Sequence, residues 1–580
     1  AGDERVLLDT DNRTAMLRDA VDMGAPGGQP VAPWNEAADQ AIMRAKQRIE
    51  ARVQADDLAG IDGIDLATVN HIYEAYTSLM RLQGVQDFED LIIRVVRRLE
   101  GDSGYRLRLQ QRFRYIFVDE YQDLNEGQYR LLRSLVPADG RGLCVIGDPD
   151  QAIYGFRGSD QRFFLKFTRD YPAANVVELQ RNYRSTPAIL KAARQILNGV
   201  GTHHGSRDRD LTGFAIQPAA LFSKIEGRAT IGIITAKTDH EEARAIARMI
   251  EERVGGRGFH DIDTGWITQD TAAQRSYGDF AVLFRTHSQS QRLSQALGDA
   301  GIPFCVAARE ALFQQAGIGD LLALAKLVNG GGLYSDLASA ATLMEGPPSG
   351  LALKRLKRWG LMRETPVWRA LDEVRHLPIS GMSRNQQAAV VRLAQWLERI
   401  KNGIPGGSAE TQLRWIMKHT GRVEWLAADR QLAHHWELIF ELAKDRSWED
   451  FITRISLYQD SDRYSEVAQQ VTLMSMHAAK GLEFAVVIVA GCEDGLIPYR
   501  PREEKLSDRD LAEEARLFYV AMTRAQSELY LSYAQQRHRF GQRVTCRRST
   551  FLDMIETHLM ARERARAPRK KRRYHQQQLF

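Results

Sequence analysis

The sequence predicts an α/β chain built on parallel sheets, with helical material ahead of the sheet-forming segments and inserted within them. Three observations predict it. Short apolar runs alternate with helical periodicities between residues 115 and 290. From about residue 310 to 465 only helical patterns occur, and strand-like runs return between 471 and 531. A chain of 580 residues is also too long for one core, so about three or four domains are expected.

The elements follow in order. LATVNHIYEAYTSLMRL and FEDLIIRVVRRLE place apolar residues three and four apart, so residues 1 to about 110 read as helical. YIFVDE is a strand, GQYRLLRSLV a helix, LCVIGD a second strand and NVVELQ a third. TIGIITA followed by HEEARAIARMIEERV is strand then helix, and DFAVLFR is another strand. IGDLLALAKLV, AAVVRLAQWLERI and HHWELIFELAKD are helical, with a glycine-rich break at NGGGLYSD. QVTLMSM, FAVVIVAG and ELYLSYA restore the strand pattern around the helix LAEEARLFYVAMTRA. A helical insertion therefore splits one α/β domain.

Composition narrows the class. Apolar residues make up 44% and charged residues 26%, as in globular proteins. No apolar run is long enough to span a bilayer, and the first residues lack a basic-then-apolar leader pattern. Cys144, Cys305, Cys492 and Cys546 are far apart and form no CxxC pair, so neither a zinc site nor a disulfide framework is expected, and a cytoplasmic location fits. Net charge is +5, but the tail ARERARAPRKKRR holds eight basic residues and one acid. The remaining body has 71 Lys+Arg against 73 Asp+Glu, so any nucleic-acid binding there must use local grooves.

Five constellations could carry chemistry. Asp119 and Glu120 end an apolar strand, where open α/β sheets bind ligands; an Asp there can hold Mg²⁺ and a neighbouring Glu can deprotonate water. Asp148 ends the next strand and leads into Gln151, Tyr154, Phe156 and Arg157, a polar sensor beside two stacking rings and a phosphate-binding cation. Tyr183 and Arg184 pair an adenine-stacking ring with a phosphate clamp. His477, Lys480 and Glu483 occupy a loop between two apolar strands. Arg516 and Arg524 read as carried by one helix, where an arginine can stabilise a transferring phosphoryl group. Singly, each reads more simply as a turn, a cap or a surface ion pair.

As an ordered set they resemble the superfamily 1A helicases of the UvrD/Rep/PcrA type. DEYQD resembles the family's motif II, GDPDQAIYGFRGSD motif III, LQRNYRST motif IV, HAAKGLEF motif V and YVAMTRA motif VI. The resemblance implies two RecA-like, P-loop NTPase-type sheet domains, the first incomplete, with helical 1B- and 2B-like insertions. It implies an ATP-dependent DNA helicase or translocase that moves 3′ to 5′ on single-stranded DNA in repair or replication, with ATP and Mg²⁺ bound. Asp119 would bind Mg²⁺ with Glu120, which is also the base. Gln151, Arg184 and Arg524 would meet the γ-phosphate, Tyr183 would stack on adenine and Glu483 would hold the ribose. Tyr154, Phe156, Arg157 and His477 would face DNA; Phe156 stands where the family usually carries Trp.

The implied domains are 1–111 (1B-like, partial), 112–174 (the rest of domain 1A), 175–310 and 466–560 (domain 2A), 311–465 (2B-like) and 561–580 (a basic tail). The family's phosphate loop, a form of G-x-x-x-x-G-K-[ST], has no counterpart, because the chain contains no Gly-Lys dipeptide. The sequence is therefore expected to be a fragment of a longer protein, unable to hydrolyse ATP efficiently alone, with half of a split enzyme or a non-hydrolysing DNA-binding relative as alternatives. The closing QQQLF resembles the short peptides that dock on sliding clamps, with Gln576 as polar anchor and Leu579 and Phe580 as apolar plugs. Single-stranded and duplex DNA are the expected partners of a monomeric or weakly self-associating chain.

Overall fold

The computed structural model describes residues 6–8, 10–24, 31–155, 158–201, 221–225, 230–254, 275–307, 317–330, 332–422, 430–457, 469–500, 506–539 and 542–563. Phe156 and Arg157 of the DNA-facing set, and Gln576, Leu579 and Phe580 of the terminal peptide, lie outside the described residues.

The described residues form fourteen strands: β1 (Val6–Leu7), β2 (Val85–Gln86), β3 (Ile116–Val118), β4 (Leu143–Val145), β5 (Arg181–Asn182), β6 (Phe222–Ser223), β7 (Ile231–Thr238), β8 (Phe280–Phe284), β9 (Phe304–Ala307), β10 (Val471–Ser475), β11 (Phe484–Val489), β12 (Ala525–Arg539), β13 (Gln542–Thr545) and β14 (Met560–Arg562). The main sheet has the order β14-β7-β12-β11-β8-β10-β9, with every neighbour pair parallel, and β13 pairs antiparallel with β12. Strands 280–284 and 471–475 come from opposite sides of the helical insertion yet lie side by side. The insertion thus leaves and re-enters a single sheet.

Both faces of this sheet are covered, which is why its central strands read as unbroken apolar runs. Along β8, Phe280, Val282 and Phe284 point into one apolar layer, under the helices Asp239–Val254 and Ser288–Asp299. Ala281 and Leu283 point into the other, under Pro187–Val200 and Asp508–Met522. Thr186 caps the first of these two helices, with Pro187 at a position where a missing N–H costs nothing. Ser507 caps the second.

The first α/β unit is smaller. β3 and β4 pair in parallel, with Phe117 opposite Cys144. One face packs Ile116, Val118, Leu143 and Val145 onto Tyr121, Leu132, Val136 and Tyr171. The other face leaves Phe117 74% exposed, flanked by exposed Tyr115, Cys144 and Ile146. NVVELQ forms no strand. Residues 175–179 carry no strand, with Val177 and Leu179 exposed; the Gln180 carbonyl accepts the Phe222 N–H at 3.1 Å, and the described strand follows at Arg181–Asn182, paired with β6. The apolar pattern of a buried strand is present there, but among the described residues no neighbouring strand offers it a ladder.

Helices fill the rest. Most buried apolar residues of 8–85 and 318–455 belong to one cluster containing Tyr76, Leu324, Leu393, Trp436 and Phe451. Lys357 of the insertion also pairs with Asp19 of the N-terminal helices.

Candidate nucleotide and nucleic-acid site

The site forms where the C-terminal ends of β3 and β4 face the second half of the chain. After β3 the backbone turns at Glu120, whose φ of 52° is left-handed, into the short helix Tyr121–Asp123. The Tyr121 N–H donates to the Ile146 carbonyl at 2.9 Å, and the Tyr121 ring packs on Phe164 and Phe167. This anchor turns the Asp119 and Glu120 side chains away from the core. Asp119 is exposed and, among the described residues, accepts only the neighbouring Glu120 N–H, at 2.9 Å.

Asp148 ends β4, caps the next turn and accepts from the Gln151 side-chain amide at 2.7 Å. Burial, reinforced by Asp150, raises its pKa above the usual carboxylate range. Gln122 joins the two acid ends: its amide donates to Glu120, and its carbonyl accepts the Asp148 N–H at 3.0 Å.

Three cations reach this ledge from the second half. Lys480, in the loop 476–483 between β10 and β11, donates to the Gln151 carbonyl at 2.9 Å and to Asp123, and lies 3.1 Å from Glu120 Oε2. Arg516 donates to the Ala152 carbonyl at 2.8 Å. Arg524 lies 3.5 Å from Gln151 Oε1. It does not sit on the helix as the sequence suggested: Asp508–Met522 ends at a Thr523 cap, and Arg524 occupies the turn into β12. Its guanidinium donates to the Val520 and Leu482 carbonyls at 3.1 and 3.2 Å.

Arg524 is 2% exposed, and among the described residues it forms no salt bridge. Burial, then the nearby Arg184 charge, lowers its pKa to about 10. Arg184 itself pairs with Glu483, Nε to Oε2 at 2.6 Å, and this bond is the chief reason the Glu483 carboxyl titrates below its usual range. Tyr183 is 74% exposed, with Arg181 stacked 4.7 Å from its ring centre. The fold therefore brings Glu120, Gln151, Arg184, Glu483 and Arg524 to one cleft, with Tyr183 at its rim.

Tyr154 and His477 are half-buried and meet through a long contact of 3.5 Å between the Tyr154 hydroxyl and the His477 carbonyl. The Tyr154 ring lies 5.3 Å from the Lys480 ammonium. Motif order anticipated neither Gln122 nor Asp123 as part of the site, and left Lys480 without a role. Asp123 lies three residues after Glu120, one helical turn on, which was the only available signal.

Two family profiles cover this arrangement. Residues 8–172 match the UvrD/REP helicase N-terminal domain, and residues 177–352 and 383–536 match the UvrD-like helicase C-terminal domain. The chain belongs to the UvrD-like helicase family. The C-terminal match is split where the insertion interrupts the sheet. The chain is 28% identical over 508 residues to ATP-dependent DNA helicase PcrA of Staphylococcus aureus (strain Mu50 / ATCC 700699), covering 84% of this chain and 64% of the relative. It is 27% identical over 520 residues to PcrA of Staphylococcus epidermidis (strain ATCC 12228 / FDA PCI 1200), covering 86% and 66%. The chain thus spans about two thirds of the length of these relatives.

The residues of the UvrD-like cleft fit a magnesium nucleotide. Asp119 is an open oxygen donor at a strand end, suited to a hard cation held partly through water. Buried Arg524 lies near the Arg184 charge, and Arg184 is the one of the two that pairs with a carboxylate, Glu483, so an anion beside Arg524 would be favoured. No helix of the described residues is long and apolar enough to cross a membrane.

Proposed function

We propose that this UvrD-like chain is the larger part of an ATP-driven DNA translocase or helicase, moving 3′ to 5′ on single-stranded DNA in repair or replication. The observation that carries the reading is the approach of Arg524 and Lys480, from the second half, to Gln151 and Glu120 in the first. A cleft bridged in this way closes or opens with what lies in it, and closure is what a motor cycle requires. In this reading Glu120 accepts the proton of the attacking water. Gln151, Arg184 and Arg524 bind the terminal phosphate, Tyr183 stacks on the base and Glu483 holds the ribose. Mg²⁺, held by Asp119 and Glu120, supplies charge neutralisation on the phosphates. Tyr154, Phe156, Arg157 and His477 face single-stranded DNA, and the helical parts 1–111 and 311–465 act as the 1B- and 2B-like subdomains.

The phosphate loop is contributed by a segment that packs onto the open face of β3 and β4, where Tyr115, Phe117 and Ile146 stand exposed. Residues 1–580 alone are then expected to bind single-stranded DNA with strong salt dependence and to hydrolyse ATP very weakly or not at all. Oligonucleotide anisotropy and a phosphate-release assay test both. A clear DNA-stimulated ATPase rate that Glu120→Gln abolishes would refute the requirement for an added loop, and absence of salt-dependent binding would refute the DNA role. The terminal QQQLF is proposed as a sliding-clamp ligand; a pull-down in which deletion of 576–580 leaves clamp binding unchanged rejects it.

A further inference from the structure

Lys480 has more partners than a loop lysine needs. Its side chain is 6% exposed, and its ammonium has three donors. Two of them are engaged, by the Asp123 carboxylate and the Gln151 backbone carbonyl, and the Glu120 carboxylate pairs with the same ammonium at 3.1 Å. The Tyr154 ring lies within cation–π range of the same nitrogen. Every one of these partners belongs to the first half of the chain, between residues 120 and 154, whereas Lys480 belongs to the second.

The consequence follows from geometry. Glu120 Oε2 accepts the Gln122 amide and lies 3.1 Å from the Lys480 ammonium. A carboxylate oxygen held by one donor and one cation is fixed in orientation, facing them. Tyr154 is itself one of the residues assigned to single-stranded DNA. A base that moves the Tyr154 ring therefore moves one wall of the Lys480 pocket, and the opposite wall is Glu120. Arg516 and Arg524 also cross the cleft, but they reach the Ala152 carbonyl and the Gln151 amide rather than the base.

We propose that Lys480 is a positioning residue that ties the orientation of Glu120 to the state of the Tyr154 loop, making the base available only when single-stranded DNA occupies that loop. The proposal rests on the nucleotide- and DNA-facing roles assigned above. Linkage between two sites is reciprocal, so a change at Glu120 must be felt in DNA affinity, and only through Lys480.

The test is a cycle on chain 1–580: wild type, Glu120→Gln, Lys480→Met and the double variant, titrated with a labelled oligothymidylate. Glu120→Gln is expected to change the Kd by about threefold or more in the wild-type background and to have no further effect once Lys480 is Met. Equal fold-changes in the two backgrounds overturn the proposal. Hydrogen exchange supplies a second readout that needs no DNA. In Lys480→Met, peptides spanning 116–125 and 149–155 should both exchange faster, and Lys480→Arg, which keeps the charge, should restore protection. Unchanged exchange in both peptides also overturns it. If the wild type binds no oligonucleotide, the DNA reading fails separately, and the exchange result alone decides whether Lys480 clamps the two segments.

Discussion

Replacing Arg524 with Met separates what this side chain does for the fold from what it does for a ligand. Burial and the neighbouring Arg184 move its pKa from 12.5 to about 10. At 1.36 kcal/mol per unit, keeping it charged in the fold costs about 3 kcal/mol. The sign is that of a cation whose folded pKa lies below its unfolded one. The charge is disfavoured in the fold at every pH below about 10, so the cost is constant between about pH 5 and 9. Its hydrogen bonds to the Val520 and Leu482 carbonyls offset part of this, by about 1 kcal/mol each. The balance predicts that Arg524→Met is as stable as the wild type, or more stable by about 1 kcal/mol. Inorganic triphosphate should stabilise the wild type by about 1.4 kcal/mol at ten times its Kd and leave the variant unmoved. Urea unfolding followed by circular dichroism, with and without triphosphate, reads both. A loss of more than about 2 kcal/mol in the unliganded variant would mean that Arg524 contributes net stability to the fold, and the reasoning fails.

Three further outcomes follow from other sites. Arg537 donates to both Glu493 and Glu242 in the interior of the second half, so Arg537→Met leaves two buried acids facing each other and should cost about 3–5 kcal/mol. Burial and Glu242 already raise the Glu493 pKa, and a raised acid costs stability as pH increases, so the variant should lie closer to wild type at about pH 5 than at about pH 8 in denaturant midpoints. The Tyr121 hydroxyl is buried without a hydrogen-bond partner among the described residues, so Tyr121→Phe should be neutral or stabilising by about 1 kcal/mol, measured as a shift in urea midpoint. Gly232 lies on β7 against Tyr530, and an added Cβ would stand 2.3 Å from that ring, so Gly232→Ala should lose about 1–3 kcal/mol in the same assay.

The motifs were legible because their spacing is local. Asp119 and Glu120 follow a strand, and Asp148, Gln151 and Tyr154 follow another, so their order along the chain is also their order along the cleft edge. The main sheet was legible from its unbroken apolar runs at β8, β10 and β11, which only doubly covered strands carry. What failed depends on partners distant in sequence. NVVELQ has the residues of a strand, but a ladder needs a neighbour, and a one-dimensional pattern cannot show whether one arrives. Arg524 was assigned to a helix because the apolar periodicity runs through YVAMTRA, yet Thr523 ends it one residue earlier. Lys480 was visible as a loop residue, but its hydrogen-bond partners Gln151 and Asp123 lie 329 and 357 positions away.

The open side of β3 and β4 has a practical consequence for handling the protein. Two short strands whose outer edges are unpaired among the described residues, with a bare aromatic–aliphatic patch, form a template for adventitious strand addition. Colloidal behaviour of residues 1–580 should therefore depend on concentration, with particle size in light scattering growing as the sample is concentrated. Phe117→Lys, at a position that contributes little to the core, should slow that growth with little change in folding stability.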